Sequence, residues 1–358
     1  MRICLIGGSP AQPGGLEAFC DRVAAAARGA DDLAITQFST NTAYRPLRSM
    51  ALLPWRLVAL RRALRGCDLA WVQVSNLPEA YYVVLARLAG GRVLVTPHFG
   101  ANSKLVTHRV VRPVVHALLG RAHRMALLFA GQEAEIGLPV RVPVSVLGSF
   151  LPANAFVAGG QAVSGAPLRL IHAARFSAAK GTLRMLEVCA RLARAGVPFR
   201  ARLIGRGDPE TMAQIERMIA AEGLGASVEL TGWLDEAALQ QALREADVLV
   251  HLSMIDSFPL IVLEALAAGT LPLVWPMAGV EAMLEGVAGL EGRGGMVVDP
   301  ADPVSSGFAL LTTGSPDELR ARGEAVGKAA RATFGWPAML DRLRTIAAAT
   351  LERPARRG

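Results

Sequence analysis

The most informative segment for the fold is residues 247–269, which read DVLVHLSMIDSFPLIVLEALAAG. Its first six residues are mostly apolar on both faces, which predicts a buried strand over 247–252. A turn containing Ser257 and Pro259 follows, and a nearly continuous apolar segment then predicts a helix over 260–268 that is capped by Gly269. A strand that leads through a loop into a helix is the unit from which parallel α/β sheets are built.

The same alternation of strand-length apolar runs and helical patterns continues on both sides of this stretch. Further strands are predicted at 2–6, 33–38, 69–74, 92–96, 125–130, 142–147, 168–175, 199–204, 227–230, 270–274 and 295–298. Helices are predicted at 15–28, 54–64, 78–88, 106–119, 181–195, 210–221, 235–245, 316–332 and 336–351. The Gly- and Ala-rich segment 151–167 interrupts the alternation and predicts a linker. We therefore expect two doubly wound α/β domains in tandem, with ligands at the carboxyl ends of their strands.

Composition excludes several classes of protein. The 358 residues are 52 % hydrophobic and 19 % charged, which excludes a disordered chain. The 4 cysteines have no CxxC spacing, which argues against a disulfide scaffold or a zinc knuckle and favours a reducing compartment. No apolar run reaches the roughly 18–20 residues of a membrane-spanning helix, and the amino terminus lacks the pattern of a signal peptide. We expect a cytoplasmic bacterial protein.

The net charge of +8 is concentrated in the first half of the chain. Between Leu33 and Gln132 there are 13 Lys or Arg residues, and the only acids are Asp68 and Glu79. Such an imbalance predicts an anionic partner. Nucleic acid is disfavoured because only 5 % of the residues are aromatic and no nucleic-acid motif is present.

Two basic amphipathic segments, 45–65 and 104–124, favour an anionic membrane surface as that partner. In the first segment, leucines and arginines fall on different faces of the predicted helix. The leucines are Leu53, Leu57, Leu60 and Leu64, and the arginines are Arg61, Arg62 and Arg65. The alternative is a helix that buries its leucines in its own domain and leaves its arginines in solvent.

Three local patterns carry candidate chemistry. Arg175 and Lys180 follow a predicted strand and precede a predicted helix, where two cations could hold one diphosphate. Glu264 interrupts an apolar helix, and a buried carboxylate is normally paired or functional; Asp256 precedes it by eight residues. Gly14 and Gly15 open the first predicted helix, where backbone N–H groups could approach a phosphate. The spacing of the glycines is not that of a dinucleotide-binding GxGxxG motif.

Taken together, these motifs resemble the retaining glycosyltransferases of family 4, which have the GT-B fold. That family reads Gly-Arg-x4-Lys-Gly and then Glu-x7-Glu, and the resemblance is strongest over residues 168–300. It implies two Rossmann-like domains that face each other across a cleft, with a final helix crossing back to the first domain. The implied boundaries are 1–155 for acceptor binding, 156–335 for donor binding and 336–358 for the last helix and a basic tail.

The resemblance also implies roles for particular residues. Arg175 and Lys180 would hold the diphosphate of the donor, Asp256 would contact the donor sugar, and Glu264 would accept hydrogen bonds from the ribose. His98, at the end of a strand, would contact the donor sugar from the first domain. Donor-binding backbone would come from Gly14, Gly15, Gly205, Ser257, Phe258, Pro259 and Leu260. In this sequence Asp256 replaces the usual Glu and Ala174 replaces the usual Gly.

The resulting hypothesis is a retaining glycosyltransferase that uses a nucleotide diphosphate sugar as co-substrate and no metal or other cofactor. The acceptor hydroxyl would belong to a lipid-linked or polysaccharide-precursor glycan, with the protein bound peripherally at the inner face of the plasma membrane. The alternatives are a non-catalytic GT-B sugar-nucleotide-binding partner, a sugar-nucleotide epimerase, for which the acid-poor first half offers few acid/base groups, and a phosphorylase.

Overall fold

The computed structural model describes residues 1–8, 14–42, 53–138, 141–151, 166–287 and 296–352. The chain divides into two compact units, the first made of residues 1–152 and 336–358 and the second of residues 153–335. The predicted linker 151–167 falls almost entirely outside the described residues, as do 45–52 of the first basic segment.

Unit 1 is built on a parallel six-stranded sheet. The strands are β1 (Arg2–Ile6), β2 (Ala34–Phe38), β3 (Leu69–Val74), β4 (Val93–Pro97), β5 (Arg124–Leu127) and β6 (Val144–Val146), and they lie in the order β2-β1-β3-β4-β5-β6. The helices between them are α1 (Gly15–Ala27), α2 (Leu53–Ala63), α3 (Leu77–Leu88), α4 (Lys104–Thr107), α5 (Val111–Leu119) and α6 (Gln132–Glu135). Both β3 and β4 are buried along their whole length, as expected for central strands covered on both faces.

Unit 2 repeats the architecture with a second parallel sheet. Its strands are β7 (Leu168–Ala173), β8 (Phe199–Ile204), β9 (Val228–Gly232), β10 (Val248–His251), β11 (Leu271–Val274) and β12 (Met296–Val297), in the order β12-β11-β10-β7-β8-β9. Its helices are α7 (Thr182–Arg194), α8 (Pro209–Ala221), α9 (Glu236–Glu245), α10 (Leu260–Ala268), α11 (Ala278–Glu285), α12 (Pro303–Thr312) and α13 (Pro316–Phe334), with a 3-10 turn at Leu224–Ala226.

The last helix, α14 (Trp336–Leu351), belongs to unit 1 although it follows unit 2 in the chain. Arg342 donates from Nε to the carbonyl oxygen of Leu147 at 2.7 Å, and the ring of Trp336 lies 4.7 Å from that of Phe150. The predicted α/β fold class, the parallel sheets and the return of the final helix are confirmed.

Several sequence predictions of local structure need correction. The predicted helix 106–119 is two helices, because Pro113 cannot lie inside a continuous helix without clashing with the preceding turn; in α5 it occupies the first turn. α6, α11 and α12 were not predicted. β7 ends at Ala173, so Arg175 belongs to the following loop. None of the helices in the described ranges is both long and apolar enough to cross a bilayer.

The basic segment at α2 is also arranged differently from the expectation. Leu60 and Leu64 are buried in the core of unit 1, so they do not form a free apolar face. Trp55 is instead 77 % exposed, and Val58 is exposed one turn further along the same helix.

Candidate functional site

The candidate site in unit 2 lies where β7 and β10 are neighbours. The chain continues from β7 to β8 and β9 on one side of this pair, whereas β11 and β12 extend the sheet on the other side. In open α/β sheets, ligands bind at the carboxyl ends of strands beside such a change of direction. The segments that leave these two strand ends are 174–181 and 252–259, and they carry the motifs singled out in the sequence.

Three charged or titratable side chains meet at this point. Lys180 forms an ion pair through Nζ with Oδ1 of Asp256. His251, the last residue of β10, donates from Nε2 to the other carboxylate oxygen, Oδ2, at 2.9 Å. His251 is 2 % exposed, whereas the side chains of Lys180 and Asp256 keep 25 % and 19 % of their surface accessible. The cluster therefore has a buried end and a solvent-facing end.

The surroundings of Asp256 keep its carboxyl group ionised. Burial by itself raises the pKa of this group, but the hydrogen bond from His251 and the positive charge of Lys180 outweigh it. The pKa of Asp256 is therefore held well below its usual range. A permanently charged carboxylate can accept hydrogen bonds from sugar hydroxyls but is a weak general base.

The backbone brings the two loops into direct contact. Gly181 has φ +79°, and a Cβ at this position would lie 2.3 Å from the carbonyl oxygen of Leu252. Only glycine allows this approach. Met254 donates its N–H to the carbonyl oxygen of Ala179 at 3.0 Å, and Arg184 donates from Nη1 to the carbonyl oxygen of Leu252 at 3.1 Å. The position of Lys180 beside Asp256 thus follows from main-chain packing.

The amino-terminal turn of α10 adds backbone donors to the same loop. Pro259 precedes the first residue of α10, and its side chain has no hydrogen-bonding atom. The first N–H groups of α10 therefore receive no side-chain cap from Pro259. Proline has no N–H, so the expectation of donors throughout 257–260 is corrected to Ser257, Phe258 and Leu260. Ser257 is buried, and its Oγ has no hydrogen-bond partner among the described residues. Glu264 lies inside the same helix and is 5 % exposed.

Two further predicted residues lie on neighbouring loops of unit 2. Arg175 is exposed in the segment after β7, five residues before Lys180. Gly205 follows β8 with φ +150°, and a Cβ there would lie 1.8 Å from the carbonyl oxygen of Ala174. Gly205 therefore allows the loops after β7 and β8 to touch, which is a packing role. Whether its backbone also contacts a donor stays a prediction.

Three of the predicted site residues, His98, Gly14 and Gly15, lie in unit 1. His98 follows β4, and its Nε2 donates to Oε1 of Gln73 at 2.8 Å. Burial lowers the pKa of His98 to about 3, so the ring is neutral at physiological pH. At the start of α1, Gly14 and Gly15 are both exposed, and the carboxylate of Glu17 lies against Gly14.

Sequence reasoning missed two histidines of unit 2. His251 ends an apolar strand five residues before Asp256, and its polar side chain at a carboxyl edge was the available signal. His172, in β7, is fully buried and bonded at both nitrogens, to the carbonyl oxygen of Val250 at 2.9 Å and to Oγ1 of Thr182 at 3.1 Å. Burial lowers the pKa of His172 to about 4. Because both of its nitrogens are used internally, His172 is a structural residue.

Comparison with known proteins gives this site a context. Residues 161–304 match the family model of the glycosyl transferases group 1. That segment includes the Lys180, His251 and Asp256 cluster. The amylovoran biosynthesis glycosyltransferase AmsK of Erwinia amylovora is 33 % identical over 114 residues, which are 30 % of this chain and 27 % of that protein.

Another relative shows a similarly partial match. The MMP alpha-(1->4)-mannosyltransferase of Mycolicibacterium hassiacum is 32 % identical over 159 residues, 44 % of this chain and 37 % of that protein. The chain thus aligns with well under two thirds of the length of either relative.

Solved structures resemble the whole chain. A sucrose-phosphate synthase from Thermosynechococcus elongatus has a TM-score of 0.81 at 18 % identity, with 97 % of this chain and 98 % of that chain covered. The Anabaena protein Alr3699/HepE in complex with UDP-glucose has a TM-score of 0.75 at 15 % identity, covering 97 % and 100 %. At these identities the likeness concerns the fold, which is GT-B.

Among the described residues, no three or more His, Cys, Asp or Glu side chains are grouped so that they could hold a metal ion.

Proposed function

We propose that this protein is a retaining glycosyltransferase that binds a nucleotide diphosphate sugar in unit 2 and transfers the sugar to an acceptor hydroxyl. The observation that carries the proposal is the Lys180, Asp256 and His251 cluster at the carboxyl edge between β7 and β10. The family match over residues 161–304 supports it, because it covers the loops that form this cluster.

The proposed mechanism places positive charge where negative charge develops. Cleavage of the sugar–phosphate bond leaves a nucleoside diphosphate, and Lys180 and Arg175 stabilise that leaving group. Backbone N–H groups at the start of α10 add hydrogen bonds and the positive end of the helix dipole. The leaving phosphate assists deprotonation of the acceptor on the same face of the sugar, which retains the anomeric configuration.

The two carboxylates have different proposed tasks. Asp256 is ionised and partly accessible, so it accepts a hydrogen bond from a hydroxyl of the donor sugar. Glu264 is buried in α10 and accepts hydrogen bonds from the ribose. Both tasks use a carboxylate as an acceptor, which matches the low pKa of Asp256.

Ligand-induced stabilisation tests the donor site. UDP, GDP, ADP and their sugars are screened by thermal shift without metal and then with EDTA. A ligand that binds only the folded protein stabilises it by about 2.7 kcal/mol at 100 times its Kd. We expect a shift with one base, unchanged by EDTA and lost in Arg175→Ala and Glu264→Ala. Glu245→Gln, an exposed carboxylate paired with Arg202, is the matched control that keeps the shift.

The stereochemistry and the activity need a separate measurement. Incubation with the identified donor and a panel of sugar acceptors, followed by proton NMR of the product, reports the anomeric configuration. We expect the configuration of the donor to be kept. If the folded protein binds no nucleoside diphosphate at all, the non-catalytic alternative becomes the better description.

The proposed acceptor is a lipid-linked or polysaccharide-precursor glycan at the inner face of the plasma membrane. The exposed surface of unit 1 combines Trp55 and Val58 with Arg61 and Arg62 on α2, and Val110 with Arg109 before α5. Surfaces that bind anionic lipid typically combine exposed aromatic or apolar residues with neighbouring arginines or lysines. The relatives named for amylovoran biosynthesis and for mannosyl transfer are consistent with a glycan acceptor.

Vesicle sedimentation tests the membrane part of the proposal. We expect the protein to pellet with vesicles that contain anionic phospholipid and to remain in the supernatant with phosphatidylcholine vesicles. Trp55→Ala should reduce the bound fraction in both low and moderate salt, whereas Arg62→Gln should act mainly at low salt because salt screens its charge. Equal pelleting with both types of vesicle would contradict an electrostatic membrane surface.

A further inference from the structure

The carboxylate of Asp256 is held by two different side chains, one on each oxygen. His251 donates to Oδ2 from the buried side, and Lys180 pairs with Oδ1 from the solvent side. The two partners differ in freedom, because His251 is part of a central strand whereas Lys180 has a long flexible side chain in a loop.

His251 differs from the other buried histidine of unit 2 in how its ring is used. His172 is bonded at both nitrogens by groups that belong to the packed interior. The Nε2 of His251 donates to Asp256, while its Nδ1 is buried without a hydrogen-bond partner in the described part of the chain. Burying the unpartnered Nδ1 costs free energy, and the hydrogen bond from Nε2 to the ionised Asp256 offsets part of that cost. The geometry therefore directs His251 towards Asp256.

Lys180 pairs with two different anionic groups in the proposed reaction. In the structure it neutralises Asp256, and in the proposed function it neutralises the diphosphate of the donor. One ammonium group has three N–H donors but only one charge. A dianionic diphosphate arriving from solvent competes with Asp256 for that charge, and the partial solvent accessibility of Lys180 allows the exchange.

We propose that Lys180 moves from Asp256 to the donor diphosphate, and that His251 is the positioning residue that keeps Asp256 in place when Lys180 leaves. Oδ1 of Asp256 then becomes available to a hydroxyl of the donor sugar. This inference rests on the proposed function, because it takes the donor to be a nucleotide diphosphate sugar. In this exchange, binding of the diphosphate frees Oδ1 of Asp256, which then accepts a hydrogen bond from the donor sugar.

The first test measures binding of the free nucleoside diphosphate that shifts the wild-type protein most, by isothermal titration calorimetry. Asp256→Asn removes the competing charge, so the Kd of the diphosphate should fall about fivefold, the scale expected for a partly exposed ion pair. Lys180→Met should raise the Kd at least about tenfold, since it removes the charge that binds. Glu245→Gln removes a distant carboxylate of unit 2 and should leave the Kd unchanged.

A double-mutant cycle separates the exchange from simple repulsion. If Asp256 acts by occupying Lys180, Asp256→Asn should no longer tighten binding in the Lys180→Met background. Tightening of the same size in both backgrounds would mean direct repulsion between Asp256 and the diphosphate, and it would overturn the exchange. An unchanged or higher Kd for Asp256→Asn alone would overturn it as well.

The positioning role of His251 is tested by two replacements. His251→Gln keeps an N–H donor at about the position of Nε2, and His251→Leu removes it. We expect transfer of the donor sugar to fall at least about tenfold in His251→Leu, with a raised Kd for the diphosphate because Asp256 retains Lys180, and to recover largely in His251→Gln. Equal losses in both variants, or a loss of thermal stability with an unchanged Kd, would show a merely structural role.

Failure of the proposed function has a different signature. In that case the wild-type protein binds no nucleoside diphosphate and none of the variants gains binding. If the wild-type protein binds and Asp256→Asn does not bind more tightly, the donor site stands and the exchange fails.

Discussion

Replacing Gly181 by alanine tests the main-chain packing that brings Lys180 to Asp256. Gly181 has φ +79°, and an alanine Cβ there would lie 2.3 Å from the carbonyl oxygen and 2.5 Å from the carbonyl carbon of Leu252. Leu252 follows a central strand and is fully buried, so its backbone has little room to yield. The loops after β7 and β10 would have to separate for the alanine to fit.

The expected loss in the free energy of unfolding of Gly181→Ala has two parts. An L-residue in the left-handed region costs about 1–2 kcal/mol, and forcing extra volume into a packed site costs about 1–3 kcal/mol more. Gly196 provides the matched control, because it has φ +68° in the same unit and a Cβ there would have no neighbour within 4 Å. Gly196→Ala should therefore show the first cost alone, and Gly181→Ala should show both.

The assay is urea unfolding of both variants beside the wild-type protein, followed by titration with the nucleoside diphosphate. We expect Gly181→Ala to lose about 1–3 kcal/mol more free energy of unfolding than Gly196→Ala. Diphosphate binding should weaken only in Gly181→Ala, since the separation of the loops moves Lys180. Equal losses of stability, or normal binding by a folded Gly181→Ala protein, would refute the packing argument.

Three other predictions concern buried charge and protonation. Arg320→Met removes one cationic partner of the buried Asp247, and because Arg169 still pairs with that carboxylate, the free energy of unfolding should fall by about 1.5–3 kcal/mol in urea melts. His172 has a pKa of about 4 in the folded protein and about 6.5 when unfolded, so between these values the unfolded state binds the extra proton. The free energy of unfolding should therefore fall by about 2 kcal/mol as the pH drops from 7 to 4.5, and it should fall less in the His172→Gln variant. Glu79 accepts hydrogen bonds from Thr42 and from the side chain and backbone of Ser75, so Glu79→Gln should lower the melting temperature of the protein, and an unchanged melting temperature would contradict this.

Much of the secondary structure could be predicted from local pattern. The predicted bounds of β1 (Arg2–Ile6), β3 (Leu69–Val74) and α10 (Leu260–Ala268) are confirmed. These segments are apolar runs of the right length between strong turn signals, so local and tertiary preferences agree. α12 was missed because Ser305, Ser306 and Gly307 obscure its apolar pattern, although Asp302 caps it and Pro303 opens it.

Only part of the candidate site could be predicted from the sequence. Lys180 and Asp256 lie 76 residues apart in sequence, and the sequence pointed to both through the chemistry of diphosphates and through family resemblance. The contact between them was not predicted, because it depends on β7 and β10 becoming neighbours although two strands, β8 and β9, separate them in the chain. His251 was missed for the same reason, since its importance comes from facing Asp256.

The α/β class, the parallel sheets and the loops that hold the candidate site residues follow from local sequence pattern, because hydrophobic period and turn residues act over a few neighbouring positions. Which of those residues contact each other depends on the packing of the folded chain. This packing buried Leu60 and Leu64 of α2 and left Trp55 in solvent, and it placed the two oxygens of Asp256 between His251 and Lys180. The strand order of unit 2 and the main-chain contact at Gly181 bring Lys180 to Asp256, whereas the core of unit 1 buries Leu60 and Leu64, and all of these contacts join parts of the chain that are distant in sequence.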